Sequence, residues 1–212
     1  YSLKKKIQFI DSQVINREKL LDFGAGTGDF LLAARKQGYT VKGVEPNDKA
    51  RGKAAQKDIV LSKTATELKG GKFDVITLWH VLEHLPRLDD QISQLKSLLE
   101  NQGVLLVAVP NYKSYDAVHY KKYWAAYDVP RHLWHFSRTS ISKLFEKHGM
   151  EVVAIRPMIF DSFYVSLLSE KYKGNKWPWM QAFIVGLLSN LKAMSTKEYS
   201  SIIYVIKKKK QF

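Results

Sequence analysis

The stretch LDFGAGTGDF, residues 21–30, decides how the rest of the chain is interpreted. Glycines occupy every second position, at Gly24, Gly26 and Gly28, directly after an apolar run. Such a loop between a strand and a helix lets the backbone turn sharply and approach a ligand, although a purely structural turn is the alternative. Asp29 stands where a dinucleotide-binding loop carries its last glycine, and its carboxylate would repel a phosphate. The loop therefore predicts a ligand without a pyrophosphate.

Apolar runs and helical patterns alternate along the chain. Short strands are predicted at Lys19 to Phe23, Thr40 to Val44, Asp58 to Leu61, Phe73 to Trp79, Gly103 to Val109 and Met150 to Ile155. Several of these runs are apolar on both faces, as parallel strands must be when helices cover both sides of a sheet. The alternation predicts an α/β fold with a doubly wound, mostly parallel sheet.

Two helices have clear start and stop signals. The first has an apolar stripe over Leu88 to Leu99, opens at Pro86 and ends in residues 101–103. The second begins after Ser137, a good N-cap, and ends at Gly149, which suits a left-handed C-cap.

Two more helices are expected over Phe160 to Tyr172 and Trp177 to Met194. The second has one apolar face, made of Met180, Phe183, Ile184, Leu187, Leu188 and Leu191. Polar residues interrupt it, so it is not expected to span a membrane. We expect this helix to cover the core. The alternatives are a role in dimerisation and contact with a membrane surface, with Trp177 and Trp179 at the interface.

The formal net charge of +14 is compatible with a nucleic-acid or anionic-membrane partner. Much of the excess lies in short runs, however, at Lys4 to Lys6, Lys121 with Lys122, and Lys207 to Lys210. We therefore expect a basic soluble surface, with nucleic acid an unlikely partner and membrane contact not favoured. The chain has no cysteine, which excludes thiol nucleophiles and fits the cytoplasm. Because it begins at Tyr1, we expect it to be part of a longer protein.

Glu45 ends the second predicted strand within the sequence VKGVEPND. A carboxylate at this position can accept hydrogen bonds from both ribose hydroxyls of an adenosine. Pro46 ends the strand, so that the next helix can start at Asn47 or Asp48.

Four sequences carry a family resemblance: LLDFGAGTGDFL, GVEPN, KFDVITLWHVLEHL and GVLLVAVPN, in this order and spacing. Together they resemble the motifs of class I S-adenosylmethionine-dependent methyltransferases, especially the group that includes ubiquinone-biosynthesis O-methyltransferases. The resemblance covers about residues 19–153. It implies a Rossmann-like, seven-stranded sheet whose last strand is antiparallel, and YSSIIYVIKKK from Tyr199 is the candidate for that strand.

The resemblance also implies S-adenosylmethionine as cofactor. By position, the three glycines of the loop would line its methionine moiety, Asp22 would face its amino-acid end, and Glu45 would hold the ribose. The adenine would lie against Pro46 and residues 62–66. The complete set assigned to the cofactor is Asp22, Gly24, Gly26, Gly28, Glu45, Pro46, Thr64 and Trp79.

An insertion after the fifth predicted strand is expected to bind the acceptor. Residues 112–136 carry eight aromatic side chains, together with Asp128, Arg131 and His132 in YDVPRHLWHF. An insertion here lies above the transferable methyl group and can exclude water as a lid. A structural flap over the sheet edge is the alternative. Substrate contacts are predicted for Tyr112, Trp124, Asp128, Arg131 and His135.

Histidine has a pKa near neutrality, so it suits a base that accepts a hydroxyl proton. His80 ends the strand beside the expected methyl position, and His132 could descend from the lid, so both are predicted as catalytic. No resident metal is predicted. A metal held by His80, Glu83 and His84, completed by His132 or His135, is the alternative.

The sequence thus predicts one methyltransferase domain over residues 1–212. Residues 19–110 form its cofactor-binding core, 111–136 its lid, and 137–212 a part that adds helices before the last strand. The predicted activity is methylation of a small-molecule acceptor at an oxygen atom. The alternatives are an S-adenosylmethionine-binding or RNA-binding module without turnover, or an RNA methyltransferase.

Overall fold

The computed structural model describes residues 3–14, 18–68 and 71–209, and a six-stranded sheet forms its centre. The strands run in the order β2-β1-β3-β4-β6-β5 across the sheet. Their bounds are β1 Lys19–Phe23, β2 Thr40–Val44, β3 Phe73–Trp79, β4 Leu99–Pro110, β5 Met150–Pro157 and β6 Ser201–Lys208.

Eight α-helices connect these strands in the described residues. They are α1 Leu3–Asp11, α2 Asp29–Lys36, α3 Asp48–Ala55, α4 Leu88–Leu98, α5 Tyr115–Tyr120, α6 Arg138–Lys147, α7 Asp161–Tyr172 and α8 Pro178–Thr196. The strand and helix alternation confirms the predicted α/β, Rossmann-like fold.

The sheet separates two apolar layers, because neighbouring residues of a strand point to opposite faces. Leu20 packs with α1 and α2 residues on one face, whereas Leu21 packs with Ile92 of α4 and Phe145 of α6 on the other. Four strands, β2, β1, β3 and β4, run parallel, and β6 is antiparallel to both of its neighbours. The antiparallel last strand expected from Tyr199 is therefore present.

The described part of the sheet has six strands rather than the expected seven, because the strand predicted at Asp58 to Leu61 does not form. The chain there makes only an isolated bridge between Val44 and Ser62. Asp58 has a left-handed backbone with φ 56°, and Val60 is 88% exposed, so neither residue extends a ladder along β2. A short apolar run predicts a strand only if its side chains find cover on the sheet.

The helix predicted over Leu88 to Leu99 forms, with different ends. Arg87 precedes it in the left-handed region, with φ 50°, so Pro86 lies outside the helix rather than in its first turn. Leu99 is already part of β4, which begins four residues earlier than predicted. The helix α6 agrees with its prediction: Ser137 forms a capping box with Ser140, and Gly149 has φ 66°.

The insertion packs against α7 and α8 through a small core of its own. Asp116 lies at its centre, fully buried, and accepts hydrogen bonds from Trp124 Nε1 at 2.8 Å, Ser189 Oγ at 2.6 Å and Ser200 Oγ at 2.7 Å. Because hydrogen bonds to a buried charge are strong, Asp116 joins the insertion to α8 and to the start of β6.

The helix α8 does not cover the core with its large apolar residues, so that prediction is wrong. Its buried face is made of small side chains, including Ala182, Gly186, Ser189 and Ala193, and its large apolar side chains face outward. Within the described residues, no helix combines the length and apolarity that crossing a bilayer requires.

Candidate functional site

The glycine loop follows β1 and turns with left-handed backbone at three positions. The φ angles are 81° at Gly24, 54° at Gly26 and 75° at Gly28, a region in which other residues are strained. A Cβ atom on Gly24 would lie 2.4 Å from Val81 Cγ2, so this position also needs a glycine for space. The loop thus passes directly against the chain that follows β3.

Glu45 is fixed by backbone donors on both sides. Its Oε2 accepts from the Gly26 N–H at 2.9 Å and its Oε1 from the Asn47 N–H at 2.9 Å. These bonds hold the carboxylate at the end of β2 beside the glycine loop, where the prediction placed the ribose.

The segment predicted to contact adenine runs beside the end of β2. Ser62 accepts from the Glu45 N–H at 2.9 Å and donates to the Gly43 carbonyl at 2.9 Å. Thr64 and Pro46 are both exposed, and Thr64 Oγ1 lies 2.8 Å from Thr66 Oγ1. The structure therefore brings this segment next to Glu45.

Asp22 is buried at the end of β1 and accepts a hydrogen bond from Thr77 Oγ1 at 2.6 Å. Burial raises its pKa to about 7, although Thr77 and the nearby charge of Lys6 act in the opposite direction. Burial also disfavours the charged form of Lys6 and so lowers its pKa, although the charges of Asp22 and Asp161 raise it. Asp22 and Lys6 therefore form an acid and base pair at the amino-acid end of the predicted cofactor position.

Asp29 already has a cationic partner within the chain. Its carboxylate lies 2.6 Å from Lys57 Nζ and 2.6 Å from Thr27 Oγ1, and the Lys57 bond lowers its pKa. The charge that was expected to repel a phosphate is thus largely offset by Lys57.

Trp79, at the end of β3, is half-buried beneath a lysine. Lys6 Nζ lies 4.0 Å from the centroid of the Trp79 ring, and Phe30 meets the same ring edge-on at 5.7 Å. A cation over an aromatic face is an attractive contact. This contact holds Lys6 at the end of β3, where it also lines a cavity.

A cavity of about 410 Å³ opens beside the ends of β3 and β4. Its walls come from α1, the turn after β3, the insertion, and α7. The lining residues are Lys6, His80, Glu83, Pro110, Ala125, Ala126, Asp128, Arg131, His132, Met158, Asp161, Tyr164, Val165, Leu168, Tyr172 and Ser201. This volume suits a small organic molecule.

His80 lines the cavity in a left-handed conformation, with φ 56°, which is uncommon for a residue other than glycine. Its Nε2 lies 3.3 Å from Asp161 and its Nδ1 lies 3.4 Å from Glu83. Burial lowers the pKa of His80, but these two carboxylates outweigh burial and raise the pKa to about 9. At neutral pH the ring is therefore an imidazolium, which has no lone pair to accept a proton.

His132 lines the cavity in the opposite protonation state. Its Nδ1 lies 2.8 Å from the Ala126 carbonyl, so Nδ1 carries the hydrogen and Nε2 keeps its lone pair. Burial lowers the pKa of His132, although the Ala126 carbonyl raises it. The two predicted catalytic histidines thus share one cavity with different charges.

Three groups beside this cavity could hold a metal ion. Ligand atoms of Glu83, His84 and His132 all lie within 4.8 Å of one another. His84 Nδ1 lies 2.9 Å from the Arg131 carbonyl, which leaves Nε2 as its free atom. Both oxygens of the buried Glu83 carboxylate lack a hydrogen-bond partner. Of the other proposed ligands, His135 Nε2 lies 2.9 Å from the Tyr127 carbonyl.

The predicted substrate residues divide into two groups. Asp128 and Arg131 line the cavity and are joined by an ion pair of 2.6 Å. Trp124 is buried in the insertion's own core, Tyr112 packs against that core, and His135 is exposed outside the cavity. The insertion therefore acts partly as cavity wall and partly as structural flap.

Two charged residues of the cavity, Lys6 and Asp161, were missed by sequence reasoning. Lys6 belongs to a lysine run that was interpreted as solvated, yet it is half-buried because Ile7 and Ile10 of the same helix anchor α1 in the core. Asp161 opens α7, far along the chain from the recognised motifs. An acid in the first turn of a helix after a strand was the available signal.

The fold and the glycine loop with its strand-end acid define a class I S-adenosylmethionine-dependent methyltransferase. A family model described as "Methyltransferase domain" matches residues 1–155, and the chain belongs to this family. The predictions of this enzyme class and of its cofactor are confirmed. The arrangement of cofactor contacts remains a prediction.

Curated relatives match about half of the chain. A ubiquinone biosynthesis O-methyltransferase of Histophilus somni is 32% identical over 122 residues, covering 50% of this chain and 51% of that protein. One from Actinobacillus pleuropneumoniae serotype 7 is 36% identical over 110 residues, covering 44% and 46%. The chain thus spans about half the length of the curated relatives it matches.

Solved structures resemble the whole described fold. Magnesium protoporphyrin IX methyltransferase from Synechocystis, with bound SAH, has a TM-score of 0.63 at 18% identity, covering 97% of this chain and 81% of that chain. The mycolic acid cyclopropane synthase CmaA1, complexed with SAH and CTAB, has a TM-score of 0.67 at 15% identity, covering 97% and 84%. At these identities the likeness concerns the fold.

Proposed function

We propose that this protein transfers the methyl group of S-adenosylmethionine to a hydroxyl oxygen of a small molecule bound in the cavity. The observation that carries the proposal is that His132, whose pKa burial lowers, and His80, whose pKa two carboxylates raise, line one cavity at the ends of β3 and β4. The curated relatives are named ubiquinone biosynthesis O-methyltransferases, which supports an oxygen atom as the acceptor. We also propose the cytoplasm as its compartment, which fits a chain without cysteine.

The cofactor would lie along the ends of β1 and β2. In this proposal the glycine loop lines the methionine moiety, Glu45 accepts the ribose hydroxyls, and Pro46 and Thr64 border the adenine. Asp22 and Lys6 suit the zwitterionic amino-acid end, since an acid can pair with its ammonium and a lysine with its carboxylate. Trp79 would then lie beside the sulfonium.

His132 would act as the base. Its Nε2, which lies 3.8 Å from Asp128 Oδ2, would take the hydroxyl proton. The acceptor oxygen would attack the methyl carbon as the bond between that carbon and sulfur breaks, which would leave S-adenosylhomocysteine. Most of the acceleration comes from holding the two reactants in line, and the base contributes the rest.

His80 would bind rather than deprotonate the acceptor. Its imidazolium, the guanidinium of Arg131 and Lys6 are the basic groups of the cavity, whose lining also includes the carboxylates Glu83, Asp128 and Asp161. Positive groups stabilise the oxyanion that forms as the hydroxyl loses its proton. They also favour an acceptor with a phenolate or carboxylate.

Residues 111–136 would serve as the lid of this site. The cavity-lining part, Ala125 to His132, is attached to a flap whose core is fixed by Asp116. A lid built on a fixed base can exclude water from the transfer without losing its position.

The test is a methyl-transfer screen with labelled cofactor over phenols, small acids, sugar nucleotides and RNA. We expect a phenol or acid to respond, and His132→Ala to lower kcat by roughly 10²- to 10⁴-fold. His80→Ala should mainly raise KM. His119→Ala, an exposed histidine of the same insertion outside the cavity, is the matched control. Full turnover by His132→Ala, or transfer to RNA alone, would contradict the proposal.

A further inference from the structure

The helix α8 presents a continuous apolar stripe to the outside. The exposed fraction is 60% for Phe183, 65% for Trp177 and 63% for Met194. The spacing is that of one helix face. Its remaining exposed members are Trp179, Met180, Ile184, Leu187, Leu188 and Leu191.

This orientation follows from how α8 packs on α7. A Cβ atom on Gly186 would lie 2.7 Å from Phe163 Cδ1, so the two helices approach closely only through small residues. Ser162 Oγ also donates to the Gly186 carbonyl at 3.1 Å. The small face therefore packs on α7 and the insertion, and most of the surface of the large apolar side chains stays exposed in the described chain.

The stripe continues onto α7. The Phe163 and Phe183 rings lie 5.7 Å apart, which joins the two helices at the surface. Phe160 and Tyr164, at neighbouring positions of the α7 region, are 64% and 63% exposed. Apolar patches of this extent on a protein surface mark interaction sites.

The charge around the stripe has one sign. Residues 171–197 contain five lysines and no aspartate or glutamate: Lys171, Lys173, Lys176, Lys192 and Lys197. Lys171 lies in the last turn of α7, and Lys173 and Lys176 lie in the connection that leads to Trp177 and Trp179. Tryptophan and lysine side by side are typical of segments that lie at the interface between lipid and water.

We propose that the exposed face of α8, together with Phe160 and Tyr164, docks on the surface of an anionic lipid membrane. The helix lies in the plane of the headgroups, its apolar stripe enters the acyl boundary, and the lysines pair with acidic headgroups. A second copy of the chain is a poorer occupant, because it would bring two lysine-rich faces together.

Docking would also place the cavity at the membrane. Tyr164 and Tyr172 are exposed and line the cavity. An amphipathic acceptor could then enter directly from the lipid. This last step rests on the proposed function, whereas the docking itself does not.

Flotation with vesicles tests the docking without any acceptor. Vesicles of phosphatidylcholine alone are compared with vesicles that also contain phosphatidylglycerol, at low and high salt. We expect the protein to float with the anionic vesicles and to be released by salt. The double variant Phe183→Glu with Leu187→Glu should reduce binding by roughly tenfold or more, since it places charges in the apolar stripe.

Matched controls separate the stripe from general effects. Val60→Glu changes an apolar residue that is 88% exposed and follows α3, and it should leave flotation unchanged. Lys171→Gln with Lys176→Gln should weaken binding by about fivefold per lysine. The control double variant Lys49→Gln with Lys53→Gln, in α3, should lose less vesicle binding than the Lys171 and Lys176 variant. Thermal unfolding confirms that each variant is folded.

Three results would overturn the proposal. The first is no flotation with anionic vesicles, and the second is equal flotation of the wild type and the double glutamate variant. The third is a dimer in analytical ultracentrifugation that dissociates in the double glutamate variant, which would assign the face to a second copy. Loss of methyl transfer with normal flotation would affect only the proposed function.

Discussion

The Nε2 atom of His80 lies 3.3 Å from a carboxylate oxygen of Asp161, and this pair joins the end of β3 to the first turn of α7. Asp161→Asn removes one of the two carboxylates that raise the pKa of His80 to about 9. We expect the pKa to move toward its ordinary value. NMR titration of the His80 ring measures the change, with Asp90→Asn, an exposed acid of α4, as control.

The same pair makes the stability depend on pH. Because the folded-state pKa lies above the unfolded value of 6.5, the pair stabilises the fold fully below about pH 6.5. The stabilisation is lost as the pH rises through about 9. Denaturant unfolding should therefore show the difference between the wild type and Asp161→Asn shrinking over this range. A difference independent of pH would contradict the ion pair.

Asp22 predicts a pH dependence of cofactor binding. Burial raises its pKa to about 7, and the cofactor's ammonium would pair only with the ionised carboxylate. S-adenosylhomocysteine should therefore bind roughly tenfold more tightly at pH 8 than at pH 6. Calorimetry at the two pH values measures this. Asp22→Asn should bind weakly at both, and equal wild-type affinities would show that Asp22 does not meet the ammonium.

Glu45→Ala should weaken cofactor binding by roughly 1 to 3 kcal/mol, because it removes hydrogen bonds to a charged group. Glu45 also accepts from the Gly26 and Asn47 N–H groups, so its loss loosens the glycine loop as well. Calorimetry gives the affinity. Glu151→Ala, an exposed acid of β5, is the control. Unchanged affinity in Glu45→Ala would mean that the ribose lies elsewhere.

Gly24→Ala tests the close approach of the loop to Val81. The new Cβ atom would lie 2.4 Å from Val81 Cγ2, on a backbone with φ 81°, so the free energy of unfolding should fall by about 1 to 3 kcal/mol. Gly52→Ala, in α3 with nothing within 4 Å of the new atom, is the control and should not destabilise the protein. A variant at Gly24 as stable as the wild type would be inconsistent with this packing.

The sequence predicted the central strands well and the edges of the fold less well. Lys19–Phe23 and Phe73–Trp79 form with the predicted bounds, because these runs are buried in the sheet. Thr40–Val44 also forms as predicted, although it is an edge strand and only its last two residues are buried. The run Asp58 to Leu61 would have extended the sheet beyond this edge, but Asp58 is left-handed and Val60 is exposed. Periodicity located the apolar stripe of α8, but it could not show that Gly186 and its small neighbours take the inner side.

The candidate site was also predicted only in part from the sequence. The glycine loop and Glu45 are contiguous in sequence with their strands, so motif spacing placed them. Lys6 and Asp161 reach the cavity from opposite ends of the fold, and only the tertiary structure brings them together. The charge of His80 also depends on Asp161. The sequence does not show that this carboxylate lies beside the ring, so an ordinary histidine pKa was assumed and His80 was predicted to be a base.

The last prediction concerns the cluster of Glu83, His84 and His132, whose ligand atoms lie within 4.8 Å of one another. The imidazolium of His80, 3.4 Å from Glu83, would repel a divalent cation. We therefore expect turnover of the acceptor found in the screen to survive a chelator. Added Zn²⁺ should inhibit by taking the Nε2 lone pair of His132, and Glu83→Gln should weaken that inhibition by roughly 10- to 100-fold. Turnover that is lost on chelation and restored by a divalent cation would instead make His132 a ligand, with the metal lowering the pKa of the acceptor hydroxyl.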